Sequence, residues 1–454
     1  MSRLSAKTIA AAATGAVLLG VGAWAVVSGP SGQGIGLFTP RETPPLVVLI
    51  IVDTLRRDSL GPYSDDAPPT PAIDAFAELS TVYTQATAPS SWTTPSVGAI
   101  LTGKMPSQLG LQHELRRLSP QATMVSEYMQ EQGFATAGVI SNKYASTKWG
   151  FNQGYDAFDE RPVKRRVHVT SDEVTDIAID LLDRFEDQPL FLMAHYVDPH
   201  VSYNEHETHL VWTGDYDGPV VPPIHWEDLR EAYRDYNEAD WQRLRSVYDS
   251  EVAWTDTQVG RLIDHIGSSG RLNDALIVFT HDHGEELGDH NGIGHGYNLY
   301  EEAVGAPLIV HYPRDYEAPR VIETPVSLID IVPTVLAVTN TEPKDDLLGL
   351  NLLGPLPEDR PILTESDRGG RPIRAVRIGE QKLIKSRPRR APKVYNLSLD
   401  PGEQAGRRAD SRDDDLVAVL EAWPENELTA EAEPIDIDAA ERAMLEALGY
   451  LDGQ

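Results

Sequence analysis

The sequence predicts an α/β protein: a mostly parallel mixed sheet sandwiched by helices, followed by a smaller C-terminal α+β subdomain. Three observations carry this reading. Short, continuous apolar or β-branched runs recur along the chain, as suits strands buried on both faces. Helical patterns fall between them, the alternation that builds parallel sheets. Beyond about residue 340, short strand-like pieces among turn residues replace that rhythm.

Taken in order, residues 1–28 read as an N-terminal membrane anchor or signal peptide. Arg3 and Lys7 precede an uncharged, mostly apolar run over residues 8–27, and Gly29, Pro30 and Gly32 end any helix there. At about 1.5 Å per residue the run is long enough for a bilayer core of about 30 Å. The positive flank stays inside, so the remainder is expected to be exported. It would be anchored facing the periplasm or exterior, or secreted if Ala23 and Ala25 mark a cleavage site. Residues 29–44, rich in Pro, Gly and Ser, read as a linker.

A main domain over 45–339 opens with LVVLIIV, a strand expected to lie buried on both faces. Further strands are expected at 135–140, 190–194 and 275–280, with helices near 124–132, 173–185 and 248–266. The smaller subdomain, 340–454, holds the pieces IRAVRI, KLIKS and VYNLS and a closing helix over 439–448. Residues 382–393 include six basic side chains and read as a solvated hairpin, with an anionic polymer or lipid headgroup as the alternative partner.

The 454 residues include no cysteine, which excludes disulfides, thiolate metal sites and a cysteine nucleophile. A formal net charge of −31 makes nucleic acid a poor partner. Chemistry is expected where strands end, because ligands of parallel sheets gather at their C-terminal edge. Asp53 directly follows the first strand, Asp282 and His283 follow the fourth, and His195, Asp198 and His200 sit at the end of the third. Carboxylates and imidazoles brought together from separate strands suit one divalent cation, Mn²⁺ or Zn²⁺, with Ca²⁺ also allowed. Residues 90–103 read as a helix with Pro in its first turn and Gly at its end, N-capped at Thr93. A hydroxyl there sits in positive potential, where an alkoxide is stabilised, and a nearby cation would bind it and lower its pKa further.

These residues resemble the sulfatase branch of the alkaline phosphatase superfamily. The resemblance covers residues 45–454 and rests on VDTLRRDSLGPYS, TTPSVGAILTGKMPSQLG, HYVDPHVSY and, most specifically, FTHDHGEELGDH. It implies an alkaline-phosphatase-like fold and hydrolysis of an anionic ester, small or linked to a glycan or lipid. It also implies metal ligands Asp53, Asp282 and His283 with Thr93. His200 and His295 then act on the substrate's oxygens or leaving group, and Asn142, Lys143 and His195 contact the substrate. Three departures stand out. Thr93 occupies the position of the Cys or Ser that becomes formylglycine, Val97 replaces the motif's Arg, and Thr54 replaces the second Asp of a tandem pair. A secondary alcohol gives no aldehyde, so no formylglycine is expected. The pair Asp282–His283 is similar to that of phosphonate monoester hydrolases, and Thr nucleophiles occur elsewhere in the superfamily. The expected function is therefore hydrolysis of phosphate or phosphonate mono- or diesters. The alternatives are formylglycine-free sulfate-ester hydrolysis, membrane-anchored phosphotransfer and non-catalytic binding.

Overall fold

The computed structural model describes residues 44–165, 170–206, 208–211, 214–386, 391–422 and 431–447. The expected anchor or signal peptide, 1–28, lies outside the described residues, as does the linker up to residue 43. Among the described residues no helix is long and apolar enough to cross a membrane.

Among the described residues the central sheet has nine strands. In chain order they are β1 (Leu46–Val52), β2 (Thr81–Thr87), β3 (Ala135–Ile140), β4 (Ala157–Asp159), β5 (Leu190–Tyr196), β6 (Ala275–His281), β7 (Gly305–His311), β8 (Val321–Ile322) and β9 (Val326–Ser327). Their spatial order is β8-β2-β7-β6-β1-β5-β3-β4, with β9 also on β2. β1 lies at the centre, parallel to both β5 and β6. Its alternate residues feed two cores, Val47, Leu49 and Ile51 on one face and Leu46, Val48, Ile50 and Val52 on the other. A continuous apolar run is required because neither face meets water.

Two strands escape the simple apolar-run criterion. β2 (TVYTQAT) carries four polar residues, Thr81, Thr84, Gln85 and Thr87, and Pro307 interrupts β7. β7 runs antiparallel to both β6 and β2, which makes the sheet mixed. β5 and β6 run to Tyr196 and His281, beyond the expected ends at 194 and 280.

Three helices matter for the site. α1 (Thr93–Thr102) follows β2 and ends at Gly103, whose φ of 69° needs a residue without Cβ. α2 (Ser171–Arg184) packs beside β5, and α3 (Glu238–Ser268) is longer than the expected 248–266. Asn237 starts α3 ahead of its apolar stripe by accepting from the amides of Ala239 and Asp240. Tyr248 on α3 then donates to Thr54 O (2.8 Å) and accepts from Arg56 N (2.7 Å), fixing the loop after β1.

Among the described residues the C-terminal region forms a five-stranded antiparallel sheet from Ile362–Ser366, Ile373–Ile378, Gln381–Lys385, Lys393–Asn396 and Arg407–Arg408. The closing helix is described over Ala439–Ala447. The basic stretch is not a wholly solvated hairpin. Lys382 is 1% exposed and pairs with Glu301 (2.8 Å) and Glu403 (3.1 Å). Burial opposes its charge, but the two carboxylates outweigh burial and raise its pKa. Lys382→Ala strands Glu403 in a buried site and leaves Glu301 with Arg57 (3.1 Å) as its remaining ion-pair partner. We expect a loss of about 3–5 kcal/mol in denaturant unfolding, the usual penalty for removing one partner of a buried pair.

Candidate active site

Strand register brings the site together. Ile51 of β1 aligns with His195 of β5 and Thr280 of β6, and Ile140 of β3 aligns with His195. Side chains two residues apart share a face, so Asp53, Asp282 and Asn142 project from one side of the sheet edge. His195 lies one step below them on the same side. β2 ends at the same edge, and the segment after it leads into α1 with Thr93 as its first helical residue. The expected N-cap at Thr93 is corrected by one residue: Trp92, with extended φ and ψ, holds the cap position, so the Thr93 side chain is not used as a cap.

Asp53, Asp282 and His283 are fully buried and offer ligand atoms within 4.8 Å of one another. His283 Nε2 lies 3.5 Å from Asp53 Oδ1 and 3.6 Å from Asp282 Oδ2. Neither of those carboxylate oxygens has a hydrogen-bond partner. His283 Nδ1 donates to Gly284 O (2.9 Å), which leaves Nε2 as a lone-pair donor facing the carboxylates. Gly284 must lack a side chain, because a Cβ there would sit 2.0 Å from Glu302 O. Burial and the neighbouring Asp282 push the Asp53 carboxyl well above its usual range. Burial likewise pushes Asp282 up to about 8, against hydrogen bonds from the His283 and Thr54 amides. Two buried carboxyls with orphaned oxygens and an imidazole in the metal-binding tautomer fit a divalent cation.

Thr93 Oγ1 lies 3.4 Å from His283 Nε2 and 3.4 Å from Asn142 Nδ2. Ser96, one turn into α1, donates to Asp282 O (2.5 Å) and ties the helix start to the strand end. Asn142 Oδ1 accepts from Tyr144 N (2.8 Å), so its amino group faces inward and donates to both Asp53 and Thr93. Asn142, expected to touch substrate, thus orients the nucleophile candidate and a ligand. Thr54 adopts a positive φ of 54°, uncommon for a β-branched residue. Its hydroxyl is buried without a hydrogen-bond partner.

His200 and His295 lie side by side, ring centroids 5.0 Å apart, and His295 is 4.5 Å from His283. His200 Nδ1 donates to Val201 O (2.5 Å), and His295 Nδ1 to Glu285 Oε1 (3.0 Å). Burial, then the neighbouring His295, pulls His200 down to about 3; burial and Arg368 hold His295 well below its ordinary value. Both imidazoles are therefore neutral in the free protein; an anionic ester bound beside them would favour their protonated forms.

Other expectations need correction. Lys143 does not join this cluster; its ammonium lies 3.9 Å from Glu441 of the closing helix. His195 is wholly buried beneath the carboxylates rather than facing a substrate. Asp198 forms no ligand set with His195 and His200 among the described residues. Its carboxylate instead accepts from Ser171 N (2.7 Å) and Oγ (2.8 Å) at the start of α2.

Two further residues at the site were given no role by the sequence, although Glu285 falls within FTHDHGEELGDH. Glu285 is buried, accepts from Tyr203 (3.0 Å) and His295, and is pushed up to about 7 by burial. Arg368 arrives from the C-terminal sheet, donates to His295 O (2.9 Å) and lies over the Tyr297 ring at 5.1 Å. Val97 brings no charge; it is packed in the apolar core under α1.

The fold, with buried carboxylates, imidazoles and a hydroxyl gathered at one sheet edge, is of the alkaline-phosphatase-like class. The sequence model of the sulfatase family matches residues 45–341. The chain belongs to the sulfatase family. Human iduronate 2-sulfatase is 27% identical over 328 residues, 59% of this chain and 59% of that relative. The chain thus spans about three fifths of the length of such curated relatives. Among solved structures, the phosphonate monoester hydrolase of Agrobacterium radiobacter superposes with a TM-score of 0.69 at 20% identity, covering 83% of this chain and 94% of that one. An enzyme solved with its substrate D-glucosamine-2-N,6-O-disulfate gives 0.71 at 18% identity, covering 84% and 97%. At these identities the two structures speak for the fold.

Proposed function

We propose that the protein is an exported, metal-dependent hydrolase of phosphate or phosphonate mono- or diesters in which Thr93 is the nucleophile. The observation that carries this is the place of Thr93 Oγ1. It stands at the positive end of a ten-residue helix, 3.4 Å from His283 Nε2 and beside two buried carboxylates. Export rests on the apolar run at residues 8–27. The substrate is an anionic ester, small or carried on a glycan or lipid.

Asp53, Asp282 and His283 would hold the cation, with the Thr93 oxygen completing the set. A bound divalent cation supplies Lewis acidity here, favouring the ionised hydroxyl and the anionic transferring group. The Thr93 oxygen bonds to phosphorus as the ester's P–O bond breaks. Its proton passes to a neutral imidazole of the His200–His295 pair and returns to the leaving oxygen. Asn142 holds Thr93 in line, and Arg368 gives this side of the site a cation near the incoming anion. Water then attacks phosphorus and frees Thr93.

Phosphorus is preferred over sulfur because a formylglycine hydrate sheds sulfate by elimination, an exit closed to a sulfated threonine. Sulfate-ester hydrolysis is the second reading, favoured by relatives that bear sulfatase names. The test is a side-by-side assay of the full chain, loaded with Mn²⁺ or Zn²⁺, on an aryl phosphonate, a phosphodiester and an aryl sulfate. We expect kcat/KM at least about tenfold higher for a phosphorus ester. The reverse ranking would establish the sulfate reading.

A further inference from the structure

We propose that Glu285 is a positioning residue for the imidazole that carries the proton, holding the hydrogen of His295 on Nδ1 and tying together the two segments that bear His200 and His295. This rests on the reading that the His200–His295 pair moves the proton between Thr93 and the leaving oxygen. Three observations support it.

First, each oxygen of the Glu285 carboxylate takes one hydrogen bond. Oε1 accepts from His295 Nδ1 and Oε2 from the Tyr203 hydroxyl, both at 3.0 Å. A carboxylate only accepts, so the hydrogen of the neutral ring lies on Nδ1 and the lone pair on Nε2. That ring neighbours His283 and His200, with centroids 4.5 and 5.0 Å away. Second, the acceptor is itself fixed. Glu285 N donates to Glu302 O (3.1 Å), and Glu285 O accepts from Arg56 Nη1 (3.2 Å). Glu285 and Tyr203 both have 0% exposure, and the Tyr203 ring stands edge-on to Tyr248 at 6.0 Å. An acceptor held this way sets the direction of the imidazole instead of following it. Third, Tyr203 lies in the segment of His200, where its main chain pairs with that of Ile224 (3.0 and 2.8 Å). One carboxylate thus joins that segment to His295.

The position of the hydrogen decides what the ring can do. With the lone pair on Nε2 it can take a proton and later return it. An unpartnered histidine ring favours the opposite tautomer, which presents a hydrogen where a lone pair is needed.

Histidine-ring ¹⁵N NMR of the Zn²⁺-loaded full chain reads the tautomer directly, with the His295 signal identified by its loss in His295→Gln. Wild type is expected to carry the hydrogen on Nδ1. Glu285→Gln keeps an oxygen that accepts from His295 and should do the same; a hydrogen on Nε2 in either protein overturns the proposal. Glu285→Leu removes the acceptor and should move the ring towards the Nε2 tautomer, whereas an unchanged tautomer overturns the proposal. Kinetics adds a readout that a merely structural defect would not move. An alkyl ester needs the returned proton more than the p-nitrophenyl ester of the same acid does. We expect Glu285→Leu to lower kcat at least about tenfold further on the alkyl ester, with KM within about threefold of wild type. Equal losses on the two esters overturn the proposal. His295→Gln separates the two readings: equal losses there mean that His295 carries no proton, and the underlying reading fails whatever the tautomer. Should Glu285→Leu not fold, the tautomers of wild type and Glu285→Gln decide.

Discussion

Thr93→Ala is expected to lower kcat for a phosphate or phosphonate ester by on the order of 10³–10⁶-fold, the range seen when a covalent nucleophile is removed. Stability should hardly change. Thr93 is already the first residue of α1 and does not cap it, and its hydroxyl makes only 3.4 Å contacts with His283 and Asn142. Alanine suits a first helical position, and Ser96 and Asn142 keep their anchors to Asp282 O and Tyr144 N. Thr93→Ser should retain activity within about 100-fold, because the oxygen stays and only a methyl is lost. Initial rates and thermal melts of the three proteins check this. Full activity in the alanine variant would remove Thr93 from the chemistry.

Asp282→Asn carries the second large effect, and it splits activity from stability. In the metal-free protein burial pushes Asp282 from 3.8 up to about 8. Between those values the folded chain holds a proton that the unfolded chain has released. Stability of the metal-free wild type therefore falls as pH rises from about 4 towards 8, and cation binding offsets the loss. Asparagine removes the ionisable group while keeping its shape, so the metal-free variant should melt above metal-free wild type at pH 8. The same change should abolish tight metal binding and cut kcat/KM by at least about 10³-fold. Melting curves with and without chelator, at pH 5 and pH 8, test both parts. A metal-free variant that melts below metal-free wild type at pH 8 would contradict the account of the buried carboxylates.

The sequence carried the architecture where burial dictates composition. The runs at Leu46–Val52 and Ala135–Ile140 end where the strands end, because a strand covered on both faces must be apolar throughout. It carried Asp53, Asp282 and His283 for a related reason: residues directly after parallel strands share an edge. β2 and β7 were less legible, since their neighbours rather than their composition hold them in the sheet. Side-chain direction was the main loss. Lys143 follows Asn142 directly, yet its partner is Glu441, nearly three hundred residues away. His195 lies buried one step of register below Asp53 and Asp282, not at the open edge. Arg368 reaches the site through packing of the C-terminal sheet, which no local pattern encodes, and Glu285 lies in a quoted motif whose partners, Tyr203 and His295, only the fold reveals.

The nucleophile is tested most directly by trapping it. The metal-loaded chain is mixed with a radiolabelled phosphonate or phosphate ester, quenched in acid during turnover and digested. We expect the label on the peptide that contains Thr93, at the threonine oxygen, and none in Thr93→Ala. Turnover with label on another residue, or with no covalent label under any quench, would contradict the account.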